Sequence, residues 1–225
     1  MIHYNLSPAQ LEEHAECLLR QFDDERLKKA KPIDVYAVIE KCLNVPYDWK
    51  YITPDQSILG VTAFRSGLLW AWPAPYYEEG MQPERIYVEQ GTILIESALT
   101  ELDDRGPENF TVMHEVFHQV LHKTCFRHCK PDYTHASTSE ALRKHDQKRT
   151  MTALEICEYQ ANACAAAFLM PRNLLMSMAS GANLLGKLDV NSWQDRQVIG
   201  QLAREFSVSF SAMKYRLIHL GLARE

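Results

Sequence analysis

The stretch from Thr111 to His122 reads TVMHEVFHQVLH and carries histidines at 114, 118 and 122. On an α-helix, residues four apart differ by about 40° around the axis and lie about 6 Å apart along it. His114 and His118 can then aim both imidazoles at one ion, with Glu115 on the flank of the same face. Zinc accepts neutral imidazole nitrogen, and a catalytic zinc takes three protein ligands and a water. A carboxylate placed like Glu115 would take a proton from that water, which is the logic of the H-E-x-x-H pattern. A second reading competes: Val112, Val116, Val120 and Leu121 form the buried stripe and leave the histidines in solvent.

A second segment bears on the choice. ALEICEYQANACAAAFLMP (153–171) reads as a helix of small and apolar residues, interrupted by Glu155 and Glu158 one turn apart. Alanine runs let two helices approach closely, and a carboxylate on such a face needs a partner there. A zinc ion held by two histidines would be that partner, and Asn162, four residues after Glu158, is placed to orient a ligand. The alternative is that both glutamates are helix formers facing solvent. Together the two helices point to a gluzincin-type site.

Outward from these helices, the order of elements is mixed. NLSPAQLEEHAECLLRQF predicts a helix capped by Ser7, with Pro8 in its first turn and a stripe of Leu11, Ala15, Leu18 and Phe22. A short helix follows Pro32, carries Val35, Val38, Ile39 and Leu43, and is ended by Pro46. YDWKYI, ILGVTAF, GLLWAW, RIYVE and TILIE then predict one small, mostly antiparallel sheet. After Pro107 the pattern is helical, closing with NSWQDRQVIGQLAREF and SFSAMKYRLIHLGL, and the polar segment between the two central helices reads as a loop. The expected fold is α+β, with a metallopeptidase-like domain over residues 1–178 and a helical, helix-turn-helix-like extension over 179–225.

Composition narrows the function classes. A net charge of -5 gives no general reason to expect binding to nucleic acid or to an acidic membrane. The start of the chain is broken by polar residues, so no signal peptide is expected, and the longest apolar run, ANACAAAFLM, is too short to span a bilayer. Six cysteines at 17, 42, 125, 129, 157 and 164 read as reduced thiols of a cytoplasmic protein, with 17, 42, 157 and 164 in the core.

The pair NFTVMHEVFHQVLH and EYQANACAAAFLMP resembles the ImmA/IrrE family of bacterial metallopeptidases, and LAREFSVSFSAMKYRLIHLGL looks like that family's C-terminal helices. The resemblance implies a zinc-dependent endopeptidase that cleaves a DNA-binding repressor of the helix-turn-helix type, releasing stress-response or mobile-element genes. It implies His114, His118 and Glu158 as zinc ligands and Glu115 as general base. Three departures stand out: Phe117 where the family has glycine, Cys164 for phenylalanine and Phe168 for leucine. Phe117 adds bulk beside the second histidine, and the other two read as compensating changes in the core.

Some features carry less. His122, Cys125, His128 and Cys129 could hold a second zinc, although their spacing is irregular for one. His122 is expected instead to cap the helix end, where a cation suits the dipole. Tyr133 and His135, in the polar segment, are candidate oxyanion stabilisers. QLAREFSVSFSAMKYRL has a helix-turn-helix cadence, which supports a rival reading as a DNA- or protein-binding regulator with a structural or inactive metal site. Its second helix offers only Lys214 and Arg216 as basic side chains, so direct nucleic-acid binding is disfavoured and a protein substrate preferred.

Overall fold

In the computed structural model of the chain, the residues described are 6–74, 80–126, 135–138, 152–181 and 188–225. Helix α1 (Pro8–Asp23) starts where Ser7 and Gln10 close a capping box around Pro8, and it buries Leu11, Ala15, Leu18 and Leu19. Cys17 falls on the opposite face and is exposed, not in the core as expected, and Cys42 is half-buried. The short α2 (Val35–Val38) runs into a wider turn over Ile39–Leu43. Asn44, in the left-handed region at φ 51°, ends it two residues before Pro46 can.

The five expected strands form, but not as one sheet. β1 (Tyr47–Lys50), β2 (Ile58–Thr62), β5 (Ile93–Glu96) and β6 (His135–Thr138) make a four-stranded sheet in the order β1-β5-β2-β6. β1 runs parallel to β5, and β2 is antiparallel to both its neighbours. β3 (Gly67–Ala71) and β4 (Glu84–Val88) pair separately as a hairpin, with Arg85 stacked on the exposed Trp70. β6 lies in the segment read as loop. A third pair, β7 (Leu188–Asp189) with β8 (Ala223–Arg224), brings the end of the chain beside the start of its last helical section.

Helix α3 (Gly106–Phe126) and helix α4 (Ala153–Leu169) carry the two motifs. α4 packs against both α1 and α3, and its alanines allow the close approach. Pro171 both stops α4 and leads into α5 (Arg172–Gly181), a helix not anticipated from the sequence. α6 (Trp193–Phe206) and α7 (Phe210–His219) follow, joined by a turn at Ser207 with φ 54°. One core runs through Leu11, Ile95, Val116, Ala165, Ile199 and Met213, so α1, α3, α4, α6 and α7 share it with the sheet.

The turn between α6 and α7 is pressed against the start of α3. A side chain at Gly106 would collide with the backbone of Val208 and Ser209, so only glycine fits there. Asn109 also donates to the carbonyl of Ser207 at 2.9 Å. Arg216 of α7 is buried, gripping both oxygens of Glu12 at 2.6 and 2.8 Å and donating to the carbonyl of Met170 at 3.1 Å. Among the described residues no helix is long and apolar enough to cross a membrane.

Candidate metal centre

Helix α3 passes between the sheet and α4, so its histidines have no face to offer solvent. His114, His118 and His122 are 4%, 0% and 1% exposed, whereas Val120 is 43% exposed. The reading that left the histidines in water is therefore overturned: Val112 and Val116 are buried too, and the helix is enclosed on most sides.

Three side chains converge at the α3–α4 contact. The Nε2 atoms of His114 and His118 lie 2.9 Å apart. Glu158 reaches down from α4 with Oε1 3.2 Å from His118 Nε2 and Oε2 3.4 Å from His114 Nε2. These donor atoms all fall within 4.8 Å of one another. A tetrahedral zinc with bonds of 2.0–2.1 Å holds its ligand atoms about 3.3 Å apart, so the residues present fit such an ion. Two imidazoles and a carboxylate are also a donor set that zinc accepts.

The charges agree with a cation site. Burial works against a charge on His114, but the hydrogen bond and charge of Glu158, helped by Glu115 and Asn162, outweigh it and raise its pKa. Burial likewise opposes ionisation of Glu158, yet the two histidines hold its carboxyl far below the usual carboxylate range. Asn162, one turn along α4, places Oδ1 2.7 Å from His114 Nδ1. A proton on that ring nitrogen leaves Nε2 as the one that a metal would take in place of the proton Glu158 favours there.

Glu155 does something else. Thr152 caps α4, and Glu155 returns its side chain to the Thr152 backbone N–H at 2.7 Å. The capping box holds Glu155 at the helix start, one turn before Glu158.

Glu115 is buried and points at the sheet. Thr62 of β2 donates its hydroxyl to Glu115 Oε2 at 2.6 Å. Two residues earlier Gly60 leaves room for the other oxygen: a Cβ there would stand 2.6 Å from Oε1. Phe64, at the end of the same segment, sets its ring edge-on to His118 with centroids 6.4 Å apart. Thr62, Gly60 and Phe64 escaped the sequence reading, because nothing local marks strand residues that meet a helix some fifty positions later.

His122 does not cap the helix end. It is enclosed, with Nδ1 3.0 Å from His118 Nδ1 and Nε2 3.0 Å from Gln160 Oε1. Cys125 is half-buried beside Phe64 and Cys157. His128, Cys129 and Tyr133 lie outside the described residues, and of His135 only the backbone in β6 is described. Phe117 turns into the core and meets Phe168 edge-on at 6.1 Å. Its bulk is taken up by packing against one of the two other departures. Of the two basic residues of α7, Arg216 is committed to Glu12, and Lys214 lies over the ring of Tyr215.

A family model described as the IrrE N-terminal-like domain, a peptidase family, matches residues 89–218. The span is more than half of the 225 residues and takes in α3, α4, α6 and most of α7. No curated protein matches the chain significantly.

Proposed function

The chain belongs to the ImmA/IrrE family of metallopeptidases, and from that premise we propose that it is a cytoplasmic, zinc-dependent endopeptidase acting on a helix-turn-helix repressor. The observation that carries the zinc reading is the convergence of His114, His118 and Glu158 on one point, at spacings of 2.9–3.4 Å. In this reading those three side chains hold the ion, and Asn162 orients His114 through its Nδ1. Zinc held there supplies an activated water and a polarised scissile carbonyl.

The remaining work falls to the chain. Glu115 accepts the proton of the attacking water as the new C–O bond forms, and delivers it to the leaving amine nitrogen as the C–N bond breaks. Thr62 ties down Oε2, and Oε1 lies against Gly60, so the carboxylate is held in one orientation for that task. A base held at one rotamer by a short hydrogen bond has already lost the freedom that a reaction would otherwise have to remove. The sheet and Phe64 keep bulk water from the histidines, which strengthens every charge interaction inside.

A zinc-loaded Glu115→Gln protein is the test. It keeps the ligands and should capture its substrate from a lysate of the host cell while cleaving it at least about 100-fold more slowly than the parent. The captured protein should be a repressor, cut by the parent chain, spared when a chelator removes the metal and cut again when zinc returns. A captured protein that the zinc-loaded parent leaves intact would reject the endopeptidase reading. Salt-sensitive retention on a random DNA duplex would favour the regulator reading instead.

A further inference from the structure

His122 and Gln160 are buried polar side chains to which the peptidase reading gives no task, although His122 touches His118 and Gln160 touches His122. They stand in line with it: His118 Nδ1 is 3.0 Å from His122 Nδ1, and His122 Nε2 is 3.0 Å from Gln160 Oε1. We propose that His122 and Gln160 are positioning residues that fix the ring tautomer of His118, so that its Nε2 faces the centre as a lone pair. The inference rests on the reading of His118 as a metal ligand, and its test separates the two.

The argument is one of matching donors to acceptors. A side-chain amide oxygen only accepts, so the His122 nitrogen facing Gln160 Oε1 carries the proton. A neutral imidazole has one N–H, which leaves His122 Nδ1 as an acceptor. The His118 nitrogen facing it must then be the donor, and the proton on His118 Nδ1 leaves Nε2 bare. With both rings neutral, reversing either link puts two protons or two lone pairs face to face at 3.0 Å in a buried site.

Asn162 does the same for His114 in one step, with an amide oxygen 2.7 Å from Nδ1. The two ligand histidines are thus oriented by two amides of the same helix, one directly and one through a third ring. α4 then contributes more than Glu158. Seating it on α3 gives the far nitrogen of each imidazole an acceptor, which leaves Nε2 as the atom that turns to a metal. Groups that hold the far nitrogen of a metal-binding histidine contribute about 10–100-fold to metal affinity.

The experiment reads ring protons and zinc affinity, neither of which needs a substrate. Long-range proton–nitrogen correlation spectra of the zinc-loaded chain should show His118 protonated at Nδ1 and His122 at Nε2. Gln160→Met, which removes the acceptor at similar size, should move the His122 proton towards Nδ1. Gln160→Glu, which keeps an acceptor, should leave it on Nε2. Competition with a chromophoric chelator should find zinc bound about 10–100-fold more weakly by His122→Leu than by the parent. Thermal unfolding of the metal-free forms identifies variants that fold, and the Gln160 pair supports or overturns the relay if His122→Leu does not fold. A His122 proton on Nδ1 in the parent would overturn the inference. So would parental zinc affinity in a folded His122→Leu chain. A parent that fails to bind zinc at all would instead overturn the peptidase reading, whatever the tautomers.

Discussion

Glu12→Leu should destabilise the chain more than removing both members of the pair that Glu12 forms with Arg216. In the parent, Arg216 is 4% exposed and its guanidinium is satisfied by both oxygens of Glu12 and by the Met170 carbonyl. Taking away the carboxylate leaves a buried cation with one neutral partner, a change that costs about 3–5 kcal/mol. At about 2–4 °C per kcal/mol for a chain of this size, the melting point should fall by roughly 6–20 °C. Arg216→Met should cost less, because the Glu12 side chain is 16% exposed and reaches water. The double variant Glu12→Leu/Arg216→Met replaces the pair with apolar volume and should return to within about 1–2 kcal/mol of the parent. Urea unfolding of the four proteins in metal-free buffer measures all of this. A loss below about 1 kcal/mol in Glu12→Leu, or a double variant equal to the sum of the singles, would refute the reasoning. Either result would mean that α7 is not locked to α1 as the geometry states.

Other consequences concern the site and the core. Gly60→Ala sets a methyl 2.6 Å from Glu115 Oε1 and must push the carboxylate aside; cleavage of the captured substrate should slow about 100-fold with zinc retained, and an unchanged rate would show that Glu115 is not seated there for catalysis. Phe117→Ala opens a hole against Phe168 and should cost about 3–5 kcal/mol in urea unfolding; a cost under about 1 kcal/mol would mean that the ring is not packed as described. Burial pushes the Cys164 thiol up to about 12 from 9.0. Its stabilising share is therefore complete below pH 9.0 and is lost as pH rises from there towards 12. Cys164→Ala should flatten the alkaline fall in stability by about 1 kcal/mol at pH 10, and an identical fall in both proteins would count against a buried, protonated thiol.

The legible parts of this fold were those set by neighbours in the chain. Ser7, Pro8 and Gln10 announce α1 on their own, and the β-branched and apolar residues of ILGVTAF and TILIE are enough to place β2 and β5. Pairing is not local, so the parallel match of β1 with β5 and the separation of the β3–β4 hairpin could not be read from the strands themselves. Glu158 could have been told from Glu155 without a family pattern: Thr152 and Glu155 have the T-x-x-E spacing of a capping box, which commits the first glutamate and leaves the second. His122 was misread because helical spacing alone does not distinguish a cap from an enclosed ring; only Gln160 on α4 does. Gln160 itself was the clue, as a long polar side chain in a run of small apolar ones.

Metal analysis of five purified proteins tests the central claim most directly. If His114, His118 and Glu158 hold the ion, the parent should carry about one zinc per chain, as should Glu115→Gln and Glu155→Gln. His118→Ala and Glu158→Gln, folded by their circular dichroism, should carry about a tenth of that or less. Full zinc in folded His118→Ala or Glu158→Gln, or its loss from Glu115→Gln, would contradict the account.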